Sequence, residues 1–138
     1  MIPQTSMTAI PLGKALRLRS GEGIAILLFG SLLDTARAVA ESLNATLINM
    51  RFVKPLDEAM VRELAQTYRL LVTLEDNAVM GGAGSAVNEC LHAAGLNVAV
   101  LNLGLPDSYI DHAQREEQLA ACGLDAPSIV QRIRAHQP

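Results

Sequence analysis

The sequence predicts an α/β domain, a three-layer α/β/α sandwich around a sheet whose strands run mostly parallel. Residues 24–29 (IAILLF) are apolar at every position, as in a strand buried on both faces. The segments between successive strands repeat at helical spacing, and helical connections imply parallel pairing with right-handed crossovers. One strand stands apart. Residues 14–19 (KALRLR) alternate, with Leu16 and Leu18 on one face and Arg17 and Arg19 on the other, as in a half-buried strand at a sheet edge.

Each element follows from local pattern. Ser20-Gly21-Glu22-Gly23 reads as a short reversal into residues 24–29, so the first two strands are expected to form a hairpin, with the first as the antiparallel exception. Ser31 and Asp34 form an S-x-x-D capping signal for a first helix, whose Leu32, Leu33, Ala36, Val39, Ala40 and Leu43 follow at helical spacing up to Asn44. Residues 46–50 (TLINM) form a short strand. Asp57 then caps a second helix in which Leu56, Met60, Leu64 and Thr67 share a face. Residues 70–74 are another buried strand. The glycine cluster after it opens a third helix carrying Val87, Cys90, Leu91 and Ala94, closed by Gly95, and residues 98–101 supply the last strand. Two further helical patterns follow, one at 115–121 and one from Asp125, an N-cap ahead of Pro127, with Ile129, Val130 and Ile133 inward. Residues 1–12 read as a lead-in or interdomain segment, and 13–138 as one domain.

Composition narrows the function. A chain of 138 residues buries about two thirds of its unfolded surface. With aromatics at 3%, its interior must be aliphatic, and base-stacking nucleic-acid folds are disfavoured. The net charge of −3 includes no basic run able to follow a phosphate backbone. No apolar run reaches membrane-spanning length and no leader pattern opens the chain, so the expected location is cytoplasmic. Cys90 and Cys122 lack CxxC spacing and read as free thiols.

The stretch from Glu75 to Ser85, EDNAVMGGAGS, invites a phosphate-binding reading. Gly82 and Gly84 match the first two glycines of the dinucleotide fingerprint, but Val87 stands where the third belongs. The following strand ends in Leu101-Asn102-Leu103-Gly104 without an acid for a ribose, and no lysine follows the glycines as a Walker motif requires. A structural turn that lets a helix start close to the sheet fits better. Glu75 and Asp76 lie at the carboxyl end of a central strand, where open α/β sheets place their sites. A helix cap or an ion pair is the commoner role for such an acid. Arg51 and Lys54 are candidate partners, and a charged rim facing another domain is the preferred reading. His112 beside Asp111 lacks an adjacent nucleophile, His92 reads as exposed and His136 as tail, so no self-contained active site emerges.

Three segments together resemble a known family. Asn49-Met50-Arg51-Phe52-Val53-Lys54-Pro55-Leu56-Asp57, then the stretch from Glu75 to Ser85, then Asn102-Leu103-Gly104-Leu105-Pro106-Asp107 resemble, in order and spacing, the C-terminal domain of the 1-deoxy-D-xylulose-5-phosphate synthase family. The likeness runs from Gly13 to the last helix and includes residues 40–46 (AESLNAT). Asp76 stands where a second glutamate is common and Ala86 where a glycine is, and Ser108 and Ala113 also depart from the family's pattern.

The resemblance implies a transketolase C-terminal-like α/β/α domain with a five-stranded mixed sheet, its first strand antiparallel. It implies a homodimeric parent enzyme that condenses pyruvate with glyceraldehyde 3-phosphate, releasing CO2, with thiamine diphosphate and Mg2+, toward isoprenoid, thiamine and pyridoxal precursors. It also implies that cofactor and catalytic residues belong to preceding domains, since the G-D-G motif is absent from these 138 residues. The chain is thus expected to be a third domain that binds no cofactor or metal and supports the preceding domains and the second subunit. Arg51, Lys54, Glu75, Asn77, Gly81, Gly82, Gly84 and Ser85 are its interface or structural candidates. The alternative is a free-standing α/β module binding a nucleotide or small anion at Gly81 to Ser85.

Overall fold

The computed structural model describes residues 13–76, 82–105 and 124–136. Five strands, β1 (Leu16–Arg19), β2 (Ile24–Phe29), β3 (Thr46–Asn49), β4 (Leu70–Asp76) and β5 (Ala99–Leu105), form one sheet in the order β1-β3-β2-β4-β5. β2 pairs in parallel with β3 and β4, β4 in parallel with β5, and β1 antiparallel with β3. Four described helices cover it: α1 (Leu33–Leu43), α2 (Glu58–Thr67), α3 (Ala83–Ala94) and α4 (Ala126–His136). The helical pattern at 115–121, together with Asp111, His112 and Cys122, lies outside the described residues.

Strand alternation divides the core in two. Ile24, Ile26 and Leu28 of β2 face Val39 and Ala40 of α1 and Ile129 and Ile133 of α4. Ala25, Leu27 and Phe29 of the same strand face Val61 and Leu64 of α2 and Val87 and Leu91 of α3. β2 is therefore buried on both faces and paired along both edges, which is why every position in it is apolar.

The predicted hairpin is not formed. β1 runs antiparallel, as expected, but along β3, with Arg17 opposite Ile48. The 20–23 connection crosses the start of β3 to reach β2. Gly21 donates its amide to Thr46 Oγ1 at 2.8 Å, Glu22 donates to the Asn44 carbonyl at 2.9 Å, and a Cβ on Gly21 would lie 2.2 Å from that carbonyl oxygen. The glycine that reads as a turn residue is needed for a backbone crossing. At the outer edge, β1 is only four residues long and carries two arginines, features that discourage pairing with another chain.

The helix ends divide similarly. Asn44 adopts φ 52° and ψ 47° and closes α1, as the sequence suggests. No side chain caps the start of α1, because Ser31 donates its hydroxyl to Asp76 instead. Asp57 does cap α2: its Oδ1 accepts the Met60 amide at 3.1 Å while Oδ2 accepts the Ala15 amide at 2.8 Å. One buried carboxylate thus ties the chain ahead of β1 to the start of α2. Along α2 the buried positions are Val61 and Leu64, Met60 packs beside them, and the predicted Thr67 is exposed, donating to the Glu63 carbonyl.

Asp57→Ala removes the cap and leaves a second amide unpaired. A loss of about 2 kcal/mol is expected, half from each bond, with Asp57→Asn recovering part of it. Urea denaturation measures both.

Candidate functional site

The sheet order reverses between β2 and β4. From β2 the chain moves outward to β3, then crosses back to β4 on the other side, so the connections after β2 and β4 diverge onto opposite faces. The crevice at the carboxyl ends of such strands is where open α/β sheets hold ligands. Here it contains Gly30, Ser31, Glu75 and Asp76.

Adjacent strand residues point to opposite faces, and the two acids follow that rule. Glu75 turns toward α3 and is 7% exposed. Its Oε1 accepts the Gly84 amide at 2.8 Å and its Oε2 the Ala83 amide at 3.3 Å. Asp76, 3% exposed, turns the other way and accepts the Ser31 hydroxyl on Oδ2 at 2.8 Å. Gly30, at φ +108°, lies so close that a Cβ there would sit 3.0 Å from the Asp76 Cβ. Both acids belong to β4 itself, which extends two residues past the predicted end.

The first amides of a helix have no intrahelical partners and carry the positive end of its dipole, so they attract anions. In α3 the anion is the protein's own carboxylate. The reading of this loop as a cradle for a nucleotide or small anion fails on that point, since the Ala83 and Gly84 amides a phosphate needs are bound to Glu75. Nor does Glu75 stand on a charged rim. Burial without these bonds would cost a carboxylate several kcal/mol, roughly, so the cap and the burial require each other.

The two described glycines of the cluster act differently. Gly82 is the α3 N-cap at φ +86°, a left-handed conformation, with open space where a Cβ would point. Gly84 is helical and buried, and its Cβ would lie 3.0 Å from Asn102 Oδ1. That oxygen accepts the Thr73 hydroxyl at 2.6 Å, so Asn102 is held in place beneath the helix. Ser85 is exposed.

Arg51 and Lys54 do not pair with the acids; the described ion pairs are Arg17 with Glu63 at 3.7 Å and Arg62 with Glu58 at 3.6 Å. Arg51 is half-buried at φ +66°, its amide bonded to Asn49 Oδ1 at 3.1 Å. Lys54 is exposed beside a cis bond to Pro55. Asn77 and Gly81 lie outside the described residues. His92 and His136 are exposed.

Sequence reasoning missed the Ser31–Asp76 and Thr73–Asn102 contacts. Only the serine following a strand-end glycine hinted at the first. Cys90 is no activated nucleophile, because burial and then the Glu58 charge push its thiol up from the ordinary value. Among the described residues no group of three or more His, Cys, Asp or Glu side chains is placed to hold a metal ion.

Comparison with known proteins agrees with this architecture. The family model described as the transketolase C-terminal domain matches residues 13–129. A 1-deoxy-D-xylulose-5-phosphate synthase of Thioalkalivibrio sulfidiphilus is 56% identical over 129 residues, covering 94% of this chain and 20% of its own length. That of Pseudomonas aeruginosa is 58% identical over 125 residues, covering 91% and 20%, and that of Nitrosococcus oceani 53% over 134 residues, covering 97% and 21%. The chain spans about a fifth of the length of these curated relatives. A solved structure described as a split-gene transketolase, an inactive beta4 tetramer, superposes with a TM-score of 0.77 at 25% identity, over 92% of this chain and 43% of that one.

Two substitutions test the geometry. Glu75→Ala leaves two buried amides unpaired and is expected to cost about 2–4 kcal/mol, with Glu75→Gln retaining roughly half; a residue on an exposed rim would move the urea-derived stability by less than about 0.5 kcal/mol. Gly84→Ala is expected to destabilise by about 1–3 kcal/mol despite the better helix propensity of alanine. Calorimetric melting of Gly84→Ala with and without Asn102→Ser shows whether making room restores it.

Proposed function

This chain belongs to the transketolase C-terminal domain family, and from that premise we propose that it is the non-catalytic C-terminal domain of a 1-deoxy-D-xylulose-5-phosphate synthase. The parent is a cytoplasmic homodimer that condenses pyruvate with glyceraldehyde 3-phosphate, releasing CO2, and feeds isoprenoid, thiamine and pyridoxal synthesis. The domain packs against the preceding domains of its polypeptide and against the second subunit. No described helix is long and apolar enough to cross a membrane.

The observation that carries the non-catalytic role is the internal occupation of the switch point. Thiamine diphosphate with Mg2+ supplies carbanion chemistry to the parent when bound. The described residues do not fit either group. The α3 amides that could take a diphosphate are bound to Glu75, and Asp76 is engaged with Ser31. What this chain offers instead is a rigid sheet capped on both faces, with Arg51, Lys54 and Ser85 on its surface available to the adjoining protein.

A domain exchange tests the proposal. Replacing the matched fifth of the Pseudomonas aeruginosa synthase with this chain is expected to give a dimer that makes deoxyxylulose phosphate at a rate comparable with the unaltered enzyme. The chain alone is expected to make none and to give no heat with thiamine diphosphate and Mg2+. A folded chimera without activity, or turnover by the isolated chain, overturns the assignment.

A further inference from the structure

We infer that the outer edge of β5 pairs with β5 of a second copy of this chain, antiparallel and about a two-fold axis. The sheet has two edges, and they are built differently. β1 has four residues, carries Arg17 and Arg19, and shifts register between them. Those are devices by which a sheet edge refuses another strand. β5 has seven residues, Ala99–Leu105, in unbroken parallel register with β4, from Leu70 opposite Ala99 to Asp76 opposite Leu105. It carries no such device, because residues 93–105 (AAGLNVAVLNLGL) contain no charged side chain and no proline.

The surface of β5 fits a strand. Among the described residues it pairs only with β4, and the backbone groups of alternate residues in a strand point away from the neighbour it is paired with. Ala99 and Leu101 pack on the α1 and α4 side of the core and Val100 on the α2 and α3 side, yet all three are only half-buried, whereas every residue of β4 is buried. The helix layers therefore cover this edge incompletely on both faces. Asn102 and Gly104 are exposed, and a glycine inside a strand marks a place where another backbone comes close.

Charge and closure identify the occupant. An uncharged strand meets its own copy without opposing like charges. A two-fold axis at Asn102, the middle of β5, sets the copies antiparallel, with Val100 of one opposite Gly104 of the other and Leu101 opposite Leu103. The two sheets then join into one of ten strands, five from each copy. Because the β1 edge is guarded, the assembly closes as a dimer instead of growing strand by strand. The inference rests on the sheet and its edges, not on the synthase assignment, so it is tested on this chain alone.

Sedimentation equilibrium of the whole chain over a dilution series is expected to show a monomer–dimer equilibrium. Hydrogen exchange on the same samples is expected to show the amides of residues 99–105 protected in the dimer and exchanging faster as it dissociates. Gly104→Lys places a charge at an exposed position of the edge and is expected to abolish the dimer, with circular dichroism unchanged. Val100→Cys with Gly104→Cys, in a background of Cys90→Ala and Cys122→Ala, is expected to give a disulfide between positions 100 and 104 of two chains on treatment with oxidised glutathione, located by peptide mass spectrometry. If the lysine variant unfolds, that disulfide and the sedimentation of the unaltered chain decide. A chain that stays monomeric at every concentration overturns the proposal. So does a dimer that survives Gly104→Lys, which assigns the contact to another surface, or a monomer whose β5 amides are protected only in the synthase chimera, which assigns the edge to a neighbouring domain.

Discussion

The hydrogen bonds from the Ala83 and Gly84 amides to the buried Glu75 carboxylate hold the rest of this structure in place. A helix beginning against the end of a parallel sheet brings unpaired amides into the protein interior, where burial without a partner is costly and an acidic group can meet them. β4 supplies that group from its own penultimate residue. With the start of α3 fixed there, Val87 and Leu91 come down on Leu71 and Ala25, and Gly84 reaches contact distance of Asn102. The small residue at 84 is required by that closeness, and the left-handed one at 82 by the direction in which the helix is entered.

The same interaction occupies the switch point, where open α/β sheets hold ligands, with the protein's own groups. Two acids side by side on a strand face opposite layers, and each is satisfied by the layer it enters: Glu75 by α3, Asp76 by the serine that follows β2. In the crevice between the diverging connections, Gly30 packs on Asp76. Here these two charges fasten the helix layers to the sheet. A core almost without aromatic rings lets the helix layers approach closely, since apart from Phe29 the side chains on both faces of β2 are aliphatic.

Much of the fold was legible because its signals are local. IAILLF announces a strand with no exposed face, Asn44 and Gly95 close helices in left-handed conformations, and Asp57 caps the helix it precedes. Errors arose where one residue type serves two purposes. Gly21 reads as a reversal yet allows the backbone crossing that carries the chain past β3. Ser31 reads as a cap, and its hydroxyl bonds instead to a carboxylate 45 positions away. Val61 is buried although a helical face counted from Leu56 omits it, because Leu56 precedes the first turn of α2.

The resemblance carried by MRFVKPLD and the glycine cluster pointed to a family, and no geometry was needed to see it. By itself the sequence determined the layers, the helix ends at Asn44, Asp57 and Gly95, the antiparallel first strand and the aliphatic core, since each depends on side-chain period or on a backbone preference within a few residues. Only the tertiary structure decided which strand β1 joins, and that Glu75 looks inward at α3 while Asp76 looks away. Those choices depend on distances between segments far apart in the chain. A carboxylate becomes a cap, a catalyst or a surface charge according to what the fold places within 3 Å of it, roughly the length of a hydrogen bond.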